Sequence, residues 1–404
     1  MPTTFKKRQS RPKPVKSFSH QTVIFQSCQD SQTISKGLRN SMLNLKEKIA
    51  FNHYYDEAPE DQIARIKRIK ADFGSDLMMV AHHYQKDEIV AFADARGDSL
   101  KLAQIAAQNH TAKKIVFCGV HFMAETADIL TTDQQQVVLP DPMAGCSMAD
   151  MANPFQLTKA WQTLTDRYGD SIIPVTYVNS SAAIKAFVGQ KGGVAITSSN
   201  AKKIMTWALK QAKHLLFLPD QHLGRNISLD LGIKPEEIGL WHAQQDFLEA
   251  DQPDKLRVIL WNGYCSVHQQ FSVDNVKRLR QKYPDVKIIV HPECAHEVTA
   301  AADFVGSTSA LINYVDQAPT NARIAIGTDN NLVGRLKAKY ATKQVMFLNP
   351  YSCACILMNR IDLPHLAWTM DQLAAGKTGH VITVDPQTAY WAKKALDKML
   401  QLSL

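Results

Sequence analysis

A chain of 404 residues with 45% hydrophobic and 21% charged residues has room for two or three globular domains and is neither fibrous nor intrinsically disordered overall. No apolar run approaches the roughly eighteen residues of a membrane helix. The net charge of +8 points toward nucleic acid only at first sight: residues 1–50 hold ten Lys or Arg against two Asp or Glu, so residues 51–404 sum to about zero.

The start, MPTTFKKRQSRPKPVKS, has no apolar segment of the secretory kind, and the first 29 residues contain no acid. Its clustered prolines argue against the amphipathic helix of an organelle transit peptide. A solvated basic arm without a fold is expected over residues 1–50. Without a secretion signal the seven cysteines are expected to be reduced thiols, in a cytoplasmic protein.

Beyond the arm, one unit is written three times. Residues 51–150 contain a strand-like run DLMMVAHHYQ (76–85), a small-residue turn and helix GDSLKLAQIA (97–106), and a second strand KKIVFCGV (113–120). A third strand, QQVVLP, leads to Cys146 in DPMAGCSMAD. Residues 151–270 repeat this as SIIPVTYVN (171–179), ITSSNAKKIMTWAL (196–209), KHLLFLPD (213–220) and RVILWNGYCSV, ending at Cys265. Residues 271–360 repeat it again as DVKIIVHPE (285–293), VGSTSALINYV (305–315), ARIAIGTD (322–329) and KQVMFLNPYSCAC, ending at Cys353 and Cys355. The spacing agrees as well: 17 residues from His82 to Ser99, 19 from Asn179 to Ser198, and 17 from His291 to Thr308. Residues 361–404 read as a C-terminal helical segment packing back on the repeats.

Near-continuous apolar strands alternating with helices predict parallel sheets covered on both faces, an α/β protein of three αβα domains. In such sheets ligands bind at the carboxyl ends of the strands. His82, Tyr84, Tyr177, Asn179, His291 and Glu293 all lie there, and so do the terminal cysteines. Ser99, Ser198 and Thr308 lie in turns that open helices, where free N–H groups attract anions. If three such domains face one another around a pseudo-threefold axis, three thiols and three helix starts converge at a central interface.

Three thiolates could hold zinc or an iron–sulfur cluster. A structural zinc site wants four closed ligands in paired spacings, and Cys353-Ala-Cys355 is too tight for a typical knuckle. Three thiolates on a [4Fe-4S] cluster would leave one iron open to act as a Lewis acid. Cys118, inside IVFCGV, reads as a core residue.

The segments VAHHYQ, GDSLKLA, GVHFMAETADIL, AGCSMAD, TYVNSSAAIKA, TSSNA, LPDQHLGRN, GYCSVHQQF, HPE, GSTSALI and GTDNNLVGRL follow one another in the order found in the quinolinate synthase A family, which the chain therefore resembles. The resemblance runs from about residue 60 to residue 400 and leaves only the arm outside it. It implies the three-domain fold and a transferase of de novo NAD synthesis. That enzyme condenses iminoaspartate (iminosuccinate) with dihydroxyacetone phosphate to quinolinate, releasing phosphate and two waters. It also implies one [4Fe-4S] cluster per chain. The ligands it implies are Cys146, Cys265 and Cys355; CILMN, with Met358, marks Cys355 rather than Cys353, and Cys294 is not expected to bind iron.

The substrate contacts implied are His82, Ser99, Tyr177, Val178, Asn179, Ser198, His291, Pro292, Glu293 and Thr308, with Glu293, Tyr84, His82 and His291 as catalytic groups. Lys185, in SSAAIKA, is expected either to pair with substrate or to cap a helix. His121 and His222 match family segments without a role. Asp329 stands where the family often has Glu. A transient partner that supplies iminoaspartate is implied, with no nucleic acid and no membrane. Two other readings remain at this point: a different iron–sulfur hydro-lyase, and an iron–sulfur sensor that binds nucleic acid through the arm.

Overall fold

In a computed structural model, residues 51–403 are described; the expected basic arm, residues 1–50, lies outside the described residues. Two compact units divide between Asp56 and Glu57. The described part of the first is a helical stretch at residues 51–56. The second contains three sheets.

The first sheet is built from β1 (Leu77–His82), β2 (Ala95–Gly97), β3 (Lys114–Cys118) and β4 (Gln136–Val138) in the order β4-β3-β1-β2. The second contains β5 (Ile172–Tyr177), β6 (Val194–Ile196), β7 (His214–Leu218) and, later in the chain, β10 (Val258–Trp261), in the order β6-β5-β7-β10. The third contains β11 (Lys287–Val290), β12 (Phe304–Val305), β13 (Arg323–Gly327) and β14 (Gln344–Phe347), in the order β12-β11-β13-β14. The same strand order thus occurs three times, and every pairing within these sets is parallel. The α/β class with parallel sheets is therefore the observed one. Helices cover the faces, so the strands bury both sides: every residue of β5, β7 and β10 is buried.

The sequence repeat contained three readable strands per unit, whereas the sheets contain four. The fourth is the short edge strand β2, β6 or β12. Two or three residues carry no detectable alternation, so such a strand is invisible to pattern reading. Its consequence is positional. His82 pairs with Gly97, Tyr177 with Ile196 and Val290 with Val305. The edge strand therefore delivers each Ser/Thr turn to the sheet end where the first strand finishes.

The second sheet is extended by β8 (Ile238–His242), parallel to β10, and by β9 (Phe247–Glu249), antiparallel to β8. Residues 361–403 form helix Leu363–Ala374, a short strand β15 (Val381–Ile382) antiparallel to β4, and helix Pro386–Ser403. The last helix packs on helix Ala182–Gln190 so closely that a Cβ on Gly189 would lie 2.0 Å from the Trp391 carbonyl oxygen. Glycine inside a helix costs up to about 1 kcal/mol, and here close backbone approach requires it. Among the described residues no helix is long and apolar enough to cross a membrane.

Candidate functional site

The strand ends of all three sheets open into one shared cavity. The first repeat contributes His82, Tyr84, Ser99 and Cys146; the second contributes Tyr177, Asn179, Ser198 and Cys265; the third contributes His291, Glu293, Thr308 and Cys355. Two expected contacts are not in the lining. Val178 is buried in the hydrophobic core, and the Pro292 carbonyl accepts a hydrogen bond from Asn226 Nδ2 at 2.9 Å. Both adjoin lining residues along the chain.

The helix starts are tied together by Asp98, which lies in the segment GDSLKLA but was assigned no role from the sequence. Asp98 caps helix Ser99–Gln108, its Oδ1 accepting from the Lys101 N–H at 3.0 Å. Its Oδ2 accepts from the Ser309 hydroxyl at 2.6 Å and from the Ser199 hydroxyl at 3.3 Å. One carboxylate thus joins the turns of all three repeats. Burial opposes its ionisation, but hydrogen bonds from Ser309 and the Lys101 amide, with His82 and His83 nearby, hold its carboxyl below the usual range. Asp98 and Ser307 do the capping, so the hydroxyls of Ser99 and Thr308, each the first residue of its helix, are not consumed as caps.

Inside the cavity the polar groups form one connected set. The Tyr84 hydroxyl bonds Thr308 Oγ1 at 3.1 Å and Thr328 Oγ1 at 2.7 Å. Thr328 Oγ1 lies 3.3 Å from His268 Nε2, and His268 Nδ1 lies 2.8 Å from Glu293 Oε2. His268 stacks on His291 with ring centroids 4.7 Å apart. The Tyr177 hydroxyl bonds Glu293. Asn179 Oδ1 is buried without a partner and is open to a ligand donor.

Electrostatics divides these groups. Burial, reinforced by His83, lowers His82 to about 3, and burial lowers His291 to about 4, so both are neutral imidazoles near pH 7. Burial and the Glu293 charge push the Tyr84 and Tyr177 phenols well above their usual value. Burial also opposes ionisation of Glu293, but His291, His268 and the Tyr177 hydrogen bond more than offset it and hold the carboxyl low. The buried Asp220 carboxyl is driven up by burial and by the Glu293 charge.

Cys146, Cys265 and Cys355 all reach the cavity, whereas Cys353 is exposed and Cys294 is sealed in the core of the third sheet. Burial raises all three cavity thiols, Cys146 to about 12. No Lys or Arg is among the described lining residues. These thiols therefore stay protonated unless a metal supplies the compensating charge. Three soft sulfur donors in a site rimmed by Val120, Met148, Val267 and Met358 suit iron and sulfide better than a hard cation. His268 and Glu293 place ligand atoms within 4.8 Å of one another and of the Cys265 sulfur.

Several residues were assigned no role from the sequence. His268 follows Cys265 at a C-x-x-H spacing, which is itself a metal-site signal. Asp98 and Thr328 lie in the segments GDSLKLA and GTDNNLVGRL, but nothing in those segments assigned either residue a role. Lys185 does not line the cavity; it is fully buried, donates to the Ser180 carbonyl and sits 5.5 Å above the Phe122 ring. Burial lowers its pKa to about 8. His121 is half-exposed, 3.8 Å from Glu125, and plays no part in the lining.

Parallel α/β sheets whose strand ends pool three thiols, two phenols, two carboxyls and buried imidazoles make a site whose donors could hold a metal ion. Residues 64–401 match the quinolinate synthetase A protein family, and the chain belongs to that family. Relatives named quinolinate synthase include one from Listeria monocytogenes serovar 1/2a, 54% identical over 87% of this chain and 96% of its own length. One from Listeria innocua is 53% identical over 89% of this chain and 100% of its own. One from Bacillus cytotoxicus is 54% identical over 86% and 95%.

Proposed function

We propose that the chain is a quinolinate synthase, joining iminoaspartate to dihydroxyacetone phosphate to give quinolinate, phosphate and two waters, as a transferase of NAD biosynthesis. The observation that carries the reading is the shared cavity, in which three thiols stand opposite helix starts and neutral acid–base groups in a chain of this family. Three αβα units at residues 51–150, 151–270 and 271–360, closed by residues 361–404, are the proposed domains. A cytoplasmic setting and transient delivery of iminoaspartate by the enzyme that makes it complete the reading.

Cys146, Cys265 and Cys355 would hold a [4Fe-4S] cluster. When bound, that cluster supplies a Lewis-acidic iron for loss of hydroxyl groups. The chain's own residues do the rest. Ser99, Ser198 and Thr308, beside free helix N–H groups, bind the phosphate and carboxylates. Asn179 Oδ1 takes a donor from the imine-bearing substrate, and Tyr177 orients its carboxylate. Neutral His82 and His291 hold substrate oxygens as donors or acceptors and return protons to departing ones. Tyr84 keeps its proton at neutral pH and donates from Oη while the triose isomerises. Glu293, ionised beside His268, accepts protons at its carboxylate oxygens and returns them through Tyr177. Burial of the set excludes water from reactive imine intermediates.

The test is direct. Anaerobically purified protein is given iminoaspartate and dihydroxyacetone phosphate, and quinolinate is measured. Formation that requires both substrates supports the reading; cluster-loaded protein that makes none ends it. A different hydro-lyase would share the thiols but show no dependence on the triose phosphate.

A further inference from the structure

Two aspartates outside the proposed acid–base set occupy matching places. Asp329 stands two residues beyond the end of β13, and Asp220 stands two residues beyond the end of β7. Each caps the next helix. Asp329 Oδ1 accepts from the Asn331 N–H at 2.9 Å, and Asp220 Oδ1 accepts from the Leu223 N–H at 2.8 Å. Each is fully buried and keeps a second oxygen for another task. Asp329 Oδ2 accepts from the Cys355 N–H at 2.8 Å. Asp220 Oδ2 is buried without a hydrogen-bond partner, within electrostatic reach of the Cys265 amide. The first repeat has Val120 at this position, which offers no side-chain cap, and its cysteine loop is instead tied by the His121 N–H to the Ala144 carbonyl at 2.8 Å.

We propose that Asp329 is a positioning residue for a sulfur ligand, clamping a helix start with one oxygen and the backbone of Cys355 with the other. The inference rests on the proposal that Cys355 is a ligand of the cluster. Its chemical logic is that a thiolate's direction is set by its backbone, and the Cys355 loop, 351–357, is irregular chain with no ladder to hold it. A buried side chain that receives the Cys355 amide fixes that loop in the absence of iron. Residue 329 is also where this chain carries the shorter acid, and the short distance to the Cys355 amide shows that Asp spans it.

The test uses the full chain with Asp329→Asn, Asp329→Ala and Asp329→Glu. Asn retains one acceptor and the size of the side chain but can satisfy only one of the two amides. Amide exchange over residues 353–357 is read in metal-free protein, and the rate of cluster loss to an iron chelator is read after anaerobic reconstitution. Loss of a second-sphere partner typically costs about 10–100-fold. Faster Cys355 exchange and cluster loss quickened by about 10-fold or more are expected for Asn and Ala, with Glu returning both toward the wild-type values. Wild-type exchange and retention in Asp329→Asn would overturn the inference, as would a Glu variant that leaks as Ala does. Cys355→Ser, measured alongside, keeps the two proposals apart. If it holds its full iron, the ligand assignment falls and the positioning role with it. If it loses iron while Asp329→Asn matches wild type, only the positioning role falls.

Discussion

The convergence of three turns on Asp98 can be measured as a coupling energy. Asp98→Ala removes a helix cap, worth about 1 kcal/mol, together with a 2.6 Å bond from Ser309 and a longer one from Ser199. A hydrogen bond to a charged group contributes about 1.5–3 kcal/mol, so the single variant should lose about 3–4 kcal/mol. Ser309→Ala removes only the shared bond. In a double-mutant cycle the cap contribution is common to both Asp98 arms and cancels, leaving a coupling of about 1.5–3 kcal/mol. Urea unfolding of the four proteins, followed by fluorescence and circular dichroism with coincident transitions, gives the numbers. Asp98 has its carboxyl lowered from 3.8 in the folded protein. Its contribution is therefore complete above about pH 4, the unfolded value, and is lost only as pH falls through the lower folded value. A coupling below about 0.5 kcal/mol at pH 7 would show that the turns do not meet on this carboxylate, at the level additivity allows for independent sites.

Replacing Cys146, Cys265 or Cys355 with Ser should abolish iron and sulfide binding, while Cys353→Ser, an exposed thiol away from the cavity, should leave it intact. Metal analysis reads both, and a reversal between 353 and 355 would invert the assignment. Glu293→Gln should retain the cluster, seen by its absorbance, yet lose turnover by about 10²–10⁴-fold; wild-type turnover with an intact cluster would remove the carboxylate from the mechanism. Lys185→Met removes a buried ammonium whose pKa is lowered from 10.5 to about 8. Between those values the unfolded chain keeps a proton that the folded one has released, so wild-type stability should rise relative to the variant as pH increases from 8. The gain is about 3 kcal/mol, at about 1.4 kcal/mol per pH unit, and parallel stability curves would contradict it.

Much of the site was legible because its logic is repeated. An apolar run ending at His82, Asn179 or His291, with a Ser/Thr turn 17 to 19 residues on, is a pattern that chance rarely writes three times. Strand polarity then sends those ends to one side. The strand β12 has two residues, too few for any period, and β8–β9 form an insertion that sequence pattern cannot separate from the repeat around it. Asp98 was illegible for a different reason: its partners lie 101 and 211 residues away, and only the assembled fold brings them together. His268 was legible in principle, three residues after Cys265. Lys185 could not be decided from sequence because a lysine at that helical position either faces the ligand or points inward, and its complete burial is a tertiary fact.

The central claim is that three thiols of this chain, and no fourth, hold a four-iron cluster whose remaining iron meets the substrate. Mössbauer spectroscopy of ⁵⁷Fe-reconstituted protein, with and without quinolinate, tests it. The account predicts one iron in four with parameters distinct from the other three, and a shift of that iron alone when quinolinate is added. Four equivalent sulfur-ligated irons that ignore quinolinate would contradict it.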